Sequence, residues 1–182
     1  MNRIAISRSQ RLGVVGVAVA ALILAVVVLN STGGSSLTTA GDETDGPLAP
    51  DAEFALFDGG TASFADFEGK PLVVNFWASW CPACVAELPE FEKVHQELGD
   101  EVTFLGLANA DRRDAADALA AEIGLSYQLA DDPDGELFRS LELIAMPSTL
   151  FISADGRVAE VFAGQLNEAA LLERIEDLQV ES

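Results

Sequence analysis

Cysteine, histidine and basic residues are all scarce in this chain of 182 residues. It holds two cysteines, one histidine, and ten Lys and Arg against thirty Asp and Glu, for a formal charge of −20. Each shortage excludes a class of function. Two cysteines leave no second pair for a four-cysteine zinc site. His95 alone supplies neither a two-cysteine, two-histidine site nor the base of a triad. It falls late in a helix-like segment near Glu97 and reads as an exposed surface residue. A surface this negative repels phosphate backbones, so no nucleic-acid partner is expected. The acidity reads instead as a solvated face that keeps the domain soluble. No Gly-x-Gly-x-x-Gly run is present, so a dinucleotide fingerprint is missing. Neither a metal nor an organic cofactor is expected.

Acidic residues are absent before Asp42, and basic ones are absent between Arg11 and Lys70. Within that stretch, Leu12 to Leu29 is an unbroken run of eighteen apolar or small residues. As a helix it would extend roughly 27 Å, close to the hydrocarbon thickness of a bilayer. Arg3, Arg8 and Arg11 precede it, which places residues 1–11 in the cytoplasm and everything after Leu29 outside. The rival is a cleaved signal peptide and a secreted product. The run is longer than the usual apolar region of about 7–15 residues, and Leu29-Asn30-Ser31 is a poor cleavage site. A retained single-pass anchor over 12–29 is therefore preferred. No cysteine adjoins the run, which excludes a lipoprotein anchor. Residues 30–50, rich in Ser, Thr, Gly, Asp and Pro, read as a flexible tether with a reach of about 25 Å. One folded domain then occupies 51–182, and a monomer is expected.

Inside the domain, Ala52 to Phe57 and Thr61 to Ser63 read as a hairpin about Asp58-Gly59-Gly60. Leu72 to Trp77 is nearly all apolar, as in a central strand covered on both faces. A helix follows from Cys81 to Leu98, with Pro82 in its first turn, Pro89 as a kink and Gly99 as a stop. Val102–Leu107 is the next strand, Arg112–Ile123 an Ala-rich helix, Ser126–Ala130 a short strand and Glu136–Leu141 a helical turn. Ser148–Ile152 and Val158–Ala163 form a second hairpin. Asn167 caps a last helix reaching about Leu178. The alternation predicts an α/β sandwich with a mixed sheet.

Trp80-Cys81-Pro82-Ala83-Cys84 lies where the central strand hands over to that first helix. Two thiols this close interconvert with a disulfide without moving the fold. At a helix N-terminus, unpaired N–H groups and the macrodipole favour a thiolate, so Cys81 is the expected nucleophile. Cys84, one turn on and less exposed, is expected to resolve the mixed disulfide by attacking Cys81. A static bridge closing so short a loop would add little stability. Outside the cytoplasm, where disulfides persist, such a pair meets oxidised proteins. Glu87 stands three positions after Cys84 on a neighbouring helix face. Spacing alone leaves it equally a proton acceptor or an exposed glutamate like Glu90 and Glu92. Phe76 and Trp77 read as core.

The segment Val74-Asn75-Phe76-Trp77-Ala78-Ser79-Trp80-Cys81-Pro82-Ala83-Cys84 resembles the active-site segment of thioredoxin-like proteins. It is most similar to the membrane-anchored, extracytoplasmic TlpA/ResA type of the redoxin/AhpC-TSA-like superfamily. Glu87, followed by Leu88-Pro89, resembles the acidic residue typical of that type, whereas Asn75 stands where thioredoxin carries a buried Asp. Asp132-Pro133-Asp134-Gly135 and Ala145-Met146-Pro147-Ser148-Thr149-Leu150-Phe151-Ile152 resemble the approach to its cis-proline loop. Ala145, where glycine is common, and Met146 depart from the pattern. The match spans roughly Ala52 to Leu178.

The resemblance implies a thioredoxin fold: a mixed central sheet flanked by helices, with an N-terminal β-hairpin and a central βα insertion. It implies thiol–disulfide oxidoreductase activity, with Glu87 taking the Cys84 proton and Pro147 in cis. Met146 would offer its backbone to an extended substrate strand, while Trp80 shields Cys81. Protein disulfides are the implied substrates, apocytochrome c haem-attachment cysteines among them, and a membrane thiol carrier is the implied electron donor. Oxidase and isomerase directions stay open. A peroxiredoxin-like peroxidase is disfavoured because Ala78-Ser79-Trp80 lacks the Thr and Pro it needs. A redox-inert binding module is the reading furthest from the motifs.

Overall fold

The computed structural model of the protein describes residues 46–180. The expected anchor over 12–29 and the tether as far as residue 45 lie outside the described residues. Among the described residues no helix is long and apolar enough to cross a membrane.

Seven strands form one mixed sheet: β1 (Phe54–Leu56), β2 (Thr61–Ala62), β3 (Leu72–Trp77), β4 (Thr103–Asn109), β5 (Gln128–Asp132), β6 (Ser148–Ile152) and β7 (Val158–Ala163), in the order β2-β1-β5-β4-β3-β6-β7. The helices are α1 (Pro82–Leu98), α2 (Arg113–Ile123), α3 (Glu136–Ser140) and α4 (Glu168–Val180), with a 3-10 helix over Phe64–Phe67. The fold is thioredoxin-like. β3, β4 and β5 run parallel and succeed one another across the sheet. Right-handed crossovers therefore put α1 and α2 on one face, where Leu88, Phe91, Ala116 and Ala120 share a core with Val73 and Trp77. α4 adds Leu171, Ile175 and Leu178 to that core. On the other face Phe64, Val74, Phe76, Leu105, Leu137 and Leu150 pack together. The expected central insertion is the unit β5–α3, which extends the sheet beyond β4.

β3 is buried along its whole length, as its unbroken apolar run predicts. Asn167 caps α4 by accepting from Ala170 N at 2.9 Å. Several expectations need adjustment. The first strand is shorter than Ala52–Phe57, and β4 and β5 each run two residues further than the sequence pattern suggests, to Asn109 and Asp132. Parallel pairing from Leu105↔Gln128 to Asn109↔Asp132 carries both strands on past their apolar residues. The 3-10 helix was not foreseen; Ser63 and Asp66 form a capping box at its start.

Gly46–Pro50, the end of the stretch read as tether, lies along the β6–β7 hairpin. Val158 N donates to Pro47 O and Ala49 N to Gly156 O, both at 2.9 Å. A Cβ at Gly46 would stand 2.0 Å from Val158 O, so only glycine passes there. Nor is His95 a free surface side chain. Its ring packs edge-on against Phe104 and Tyr127, with centroids 5.4 and 5.5 Å away. Glu92 is buried too, accepting from Ser126 N at 2.8 Å and Ser126 Oγ at 2.6 Å. The Ser126–Tyr127 segment covers a flank of α1 that the apolar stripe alone leaves open.

Candidate active site

Cys81 is the N-cap of α1, in extended conformation, with Pro82 at the first helical position. Proline there loses nothing, because its missing N–H would have no partner in the helix. Cys81 and Cys84 form a disulfide with Cα atoms 5.3 Å apart. Cys84 N also points at Cys81 Sγ, 3.2 Å away, as a capping donor points at its acceptor. Cys84 is fully buried and Cys81 keeps a small accessible edge, which is the expected order.

Glu87 is fully buried one turn beyond Cys84. Its Oε1 accepts from Asn75 Nδ2 at 2.7 Å and its Oε2 from Leu166 N at 2.9 Å. Burial drives its pKa up from 4.5 to about 7, against the pull of the two donors. Desolvation of the charged form outweighs the hydrogen bonds. A carboxyl in that range exchanges a proton at neutral pH, as a general base must. The Asn75 clamp escaped sequence reasoning, although Asn75 itself was marked as unusual. Its signal was the polar side chain in the middle of an otherwise apolar strand.

The Met146–Pro147 peptide is cis. Pairing of Phe76 with Ser148 sets Pro147 level with the end of β3, at the same end of the sheet as Cys81. Gly164 N donates to Pro147 O at 2.9 Å, and Met146 packs against the core cluster that contains both cysteines. Asn109 Nδ2 lies 3.6 Å from Met146 Sδ. Trp80 is 57% exposed, and its indole N–H donates to Ala110 O at 3.1 Å. The sequence-predicted residues thus gather towards one end of the sheet: Glu87 is buried one turn beyond Cys84, Trp80 directly precedes Cys81, and the cis Met146–Pro147 step lies level with the end of β3. Phe76 and Trp77 are fully buried, as core. Among the described residues no group of three His, Cys, Asp or Glu side chains is placed to hold a metal.

Comparison with known proteins agrees with this geometry. Residues 46–161 match the AhpC/TSA family. The thiol-disulfide oxidoreductase ResA of Oceanobacillus iheyensis is 30% identical over 165 residues, covering 87% of this chain and 80% of that protein. The soluble secreted antigen MPT53 of Mycobacterium tuberculosis is 30% identical over 138 residues, 76% of either chain. The structure of MTB DsbF, in mixed oxidized and reduced forms, superposes with a TM-score of 0.67 at 28% identity, covering 73% of this chain and 98% of that one. A Cys-x-x-Cys pair heading a helix, a cis-proline at the same end of the sheet and these relatives lead to one assignment: the chain belongs to the AhpC/TSA family and is a thioredoxin-like thiol–disulfide oxidoreductase of the TlpA/ResA type.

Proposed function

We propose that the protein is held on the outer side of the cytoplasmic membrane by residues 12–29 and reduces disulfides of exported proteins. The observation that carries the redox part of this reading is the buried Glu87 carboxyl one turn beyond Cys84, held by Asn75 and Leu166, with a pKa of about 7. A resolving thiol needs a base, and a static bridge does not.

In the reductive direction the Cys81 thiolate attacks one sulfur of the substrate disulfide. That bond breaks, a mixed disulfide forms, and the first substrate thiolate leaves. Cys84 gives its proton to Glu87 and attacks Cys81 Sγ. The second substrate thiolate departs and is protonated, so the substrate gains two electrons and Cys81–Cys84 is oxidised. A dithiol carrier in the membrane then returns the pair to the reduced state. Trp80 and the Met146–Pro147 backbone hold the substrate strand during attack. A relative named as a soluble secreted antigen supports a location outside the cytoplasm, and apocytochrome c is the substrate class that the TlpA/ResA resemblance suggests.

The test is the reduction potential of the Cys81–Cys84 couple in the domain released from the predicted anchor. A value near about −270 mV supports the reductase direction, and one near about −120 mV makes the protein an oxidant instead.

A further inference from the structure

The loop between β4 and α2 turns a sharp corner at Ala110–Asp111. Ala110 has φ +48°, a left-handed conformation uncommon for a residue with a Cβ. Its N–H donates to Asp132 O at 2.9 Å, and its carbonyl is turned to accept the Trp80 indole at 3.1 Å. The next residue, part-buried Asp111, accepts from Ser79 N through Oδ2 and from Ser79 Oγ through Oδ1 at 2.9 Å. Arg112 N donates to the same Oδ1 at 2.8 Å. Three hydrogen bonds from one strained corner therefore grip Ser79 and Trp80, the two residues directly before Cys81.

We propose that the Ala110–Asp111 corner is a positioning device for the attacking cysteine, holding Ser79 and Trp80 fixed and setting, through the charge of Asp111, how reducing the Cys81–Cys84 couple is. The inference rests on the reading of Cys81 as the attacking thiol. One residue, Trp80, separates Ser79 from Cys81, so their Cα atoms lie at most about 7 Å apart. Asp111, bonded to Ser79, therefore stands near Cys81, and a nearby carboxylate opposes a second negative charge on sulfur. The disulfide is neutral and feels no such opposition. Of the other charges near the corner, Arg139 reaches it from α3, where it bonds the Asp134 carbonyl, and offsets only part of this effect. Arg112 pairs its guanidinium with Asp114, Arg113 pairs with Asp117 and Asp131, and the buried Glu87 of α1, with a pKa of about 7, is only partly charged at neutral pH. Asp111 therefore disfavours the reduced thiolate form and makes the couple the stronger reductant. The effect is expressed above the Cys81 titration midpoint and fades below it, where reduced Cys81 is a neutral thiol.

The decisive comparison is Asp111→Asn against Ser79→Ala. Asparagine loses the charge and keeps one acceptor oxygen, giving up the hydrogen bond from one backbone N–H; alanine loses one hydrogen bond and keeps the charge. Glutathione titration gives the equilibrium constant, and alkylation of the reduced protein against pH, followed for each cysteine by mass spectrometry, gives the thiol midpoints. Asp111→Asn is expected to ease reduction by about tenfold, about 30 mV, and to lower the Cys81 midpoint. Ser79→Ala is expected to stay within twofold of the parent. If Asp111→Asn changes neither quantity, or Ser79→Ala moves both as far, the inference is wrong while Cys81 keeps its role. If alkylation finds Cys84 the more reactive thiol, the assignment of roles fails and this inference falls with it.

Discussion

Asn75 can serve Glu87 in either protonation state. Its Nδ2 donates to the carboxylate now, while its own Oδ1 is buried without a partner. A flip of the amide would present Oδ1 to the hydroxyl of a protonated Glu87. An aspartate at position 75 would instead set two carboxylates against each other. The same flip lets glutamine replace glutamate, so Glu87→Gln should fold. It is expected to slow release of substrate from the mixed disulfide by about 10²-fold or more, the usual scale for losing a general base. The pH dependence near 7 should vanish, and single-turnover mixing across pH 5–9 reads both effects. Stability provides a separate check. The carboxyl pKa rises on folding from 4.5 to about 7. Between those values the unfolded chain has released a proton that the folded one keeps. The stabilisation is full below about 4.5, falls as pH rises through the window, and levels off above about 7. That fall amounts to about 3 kcal/mol and should be missing in Glu87→Gln, as guanidinium denaturation at pH 4 and pH 8 would register. The importance of Glu87 was visible in the sequence only through the resemblance. Its burial was not, because the stripe Cys84, Leu88, Phe91 says nothing of what Leu166 brings from the far end of the chain.

Among the elements, those with local signals were legible. β3, β6 and β7 follow from their residue patterns, and α1 begins at the Cys81-Pro82 step as proline chemistry requires. Contacts made by segments far apart in sequence were not. The parallel pairing of β3 with β4 ends at Trp77↔Ala108, which carries Ser79 alongside the Ala110–Asp111 corner. Nothing in either loop advertises that register. Gly106 marks another such meeting, since Cβ there would lie 2.8 Å from Leu129 Cδ2 and 2.9 Å from Trp77 Nε1. The strand gives up a side chain so that the Trp77 indole can cross it. Gly106→Ala is expected to cost about 1–3 kcal/mol by overpacking. Denaturant titration would detect it, with an unchanged midpoint counting against so tight a crossing.

Across the whole molecule, thirty acidic residues face ten basic ones, and the ion pairs that form are mostly exposed. Exposed pairs contribute little, whereas the summed repulsion of a net charge of −20 opposes the compact state. Raising the salt from 0.1 to 1 M shortens the screening length from about 10 to about 3 Å. The melting temperature should climb by several degrees, equally in sodium and potassium chloride; a decrease would mean that the pairs outweigh the repulsion. The sheet also has two unlike ends. Cys81 and Pro147 sit where β3 finishes and β6 starts, while Gly46 to Ala49 are stitched to the opposite end, at Gly156 and Val158. The described chain thus enters the domain at the end of the sheet far from the disulfide, so the length of the strands lies between that entry and Cys81.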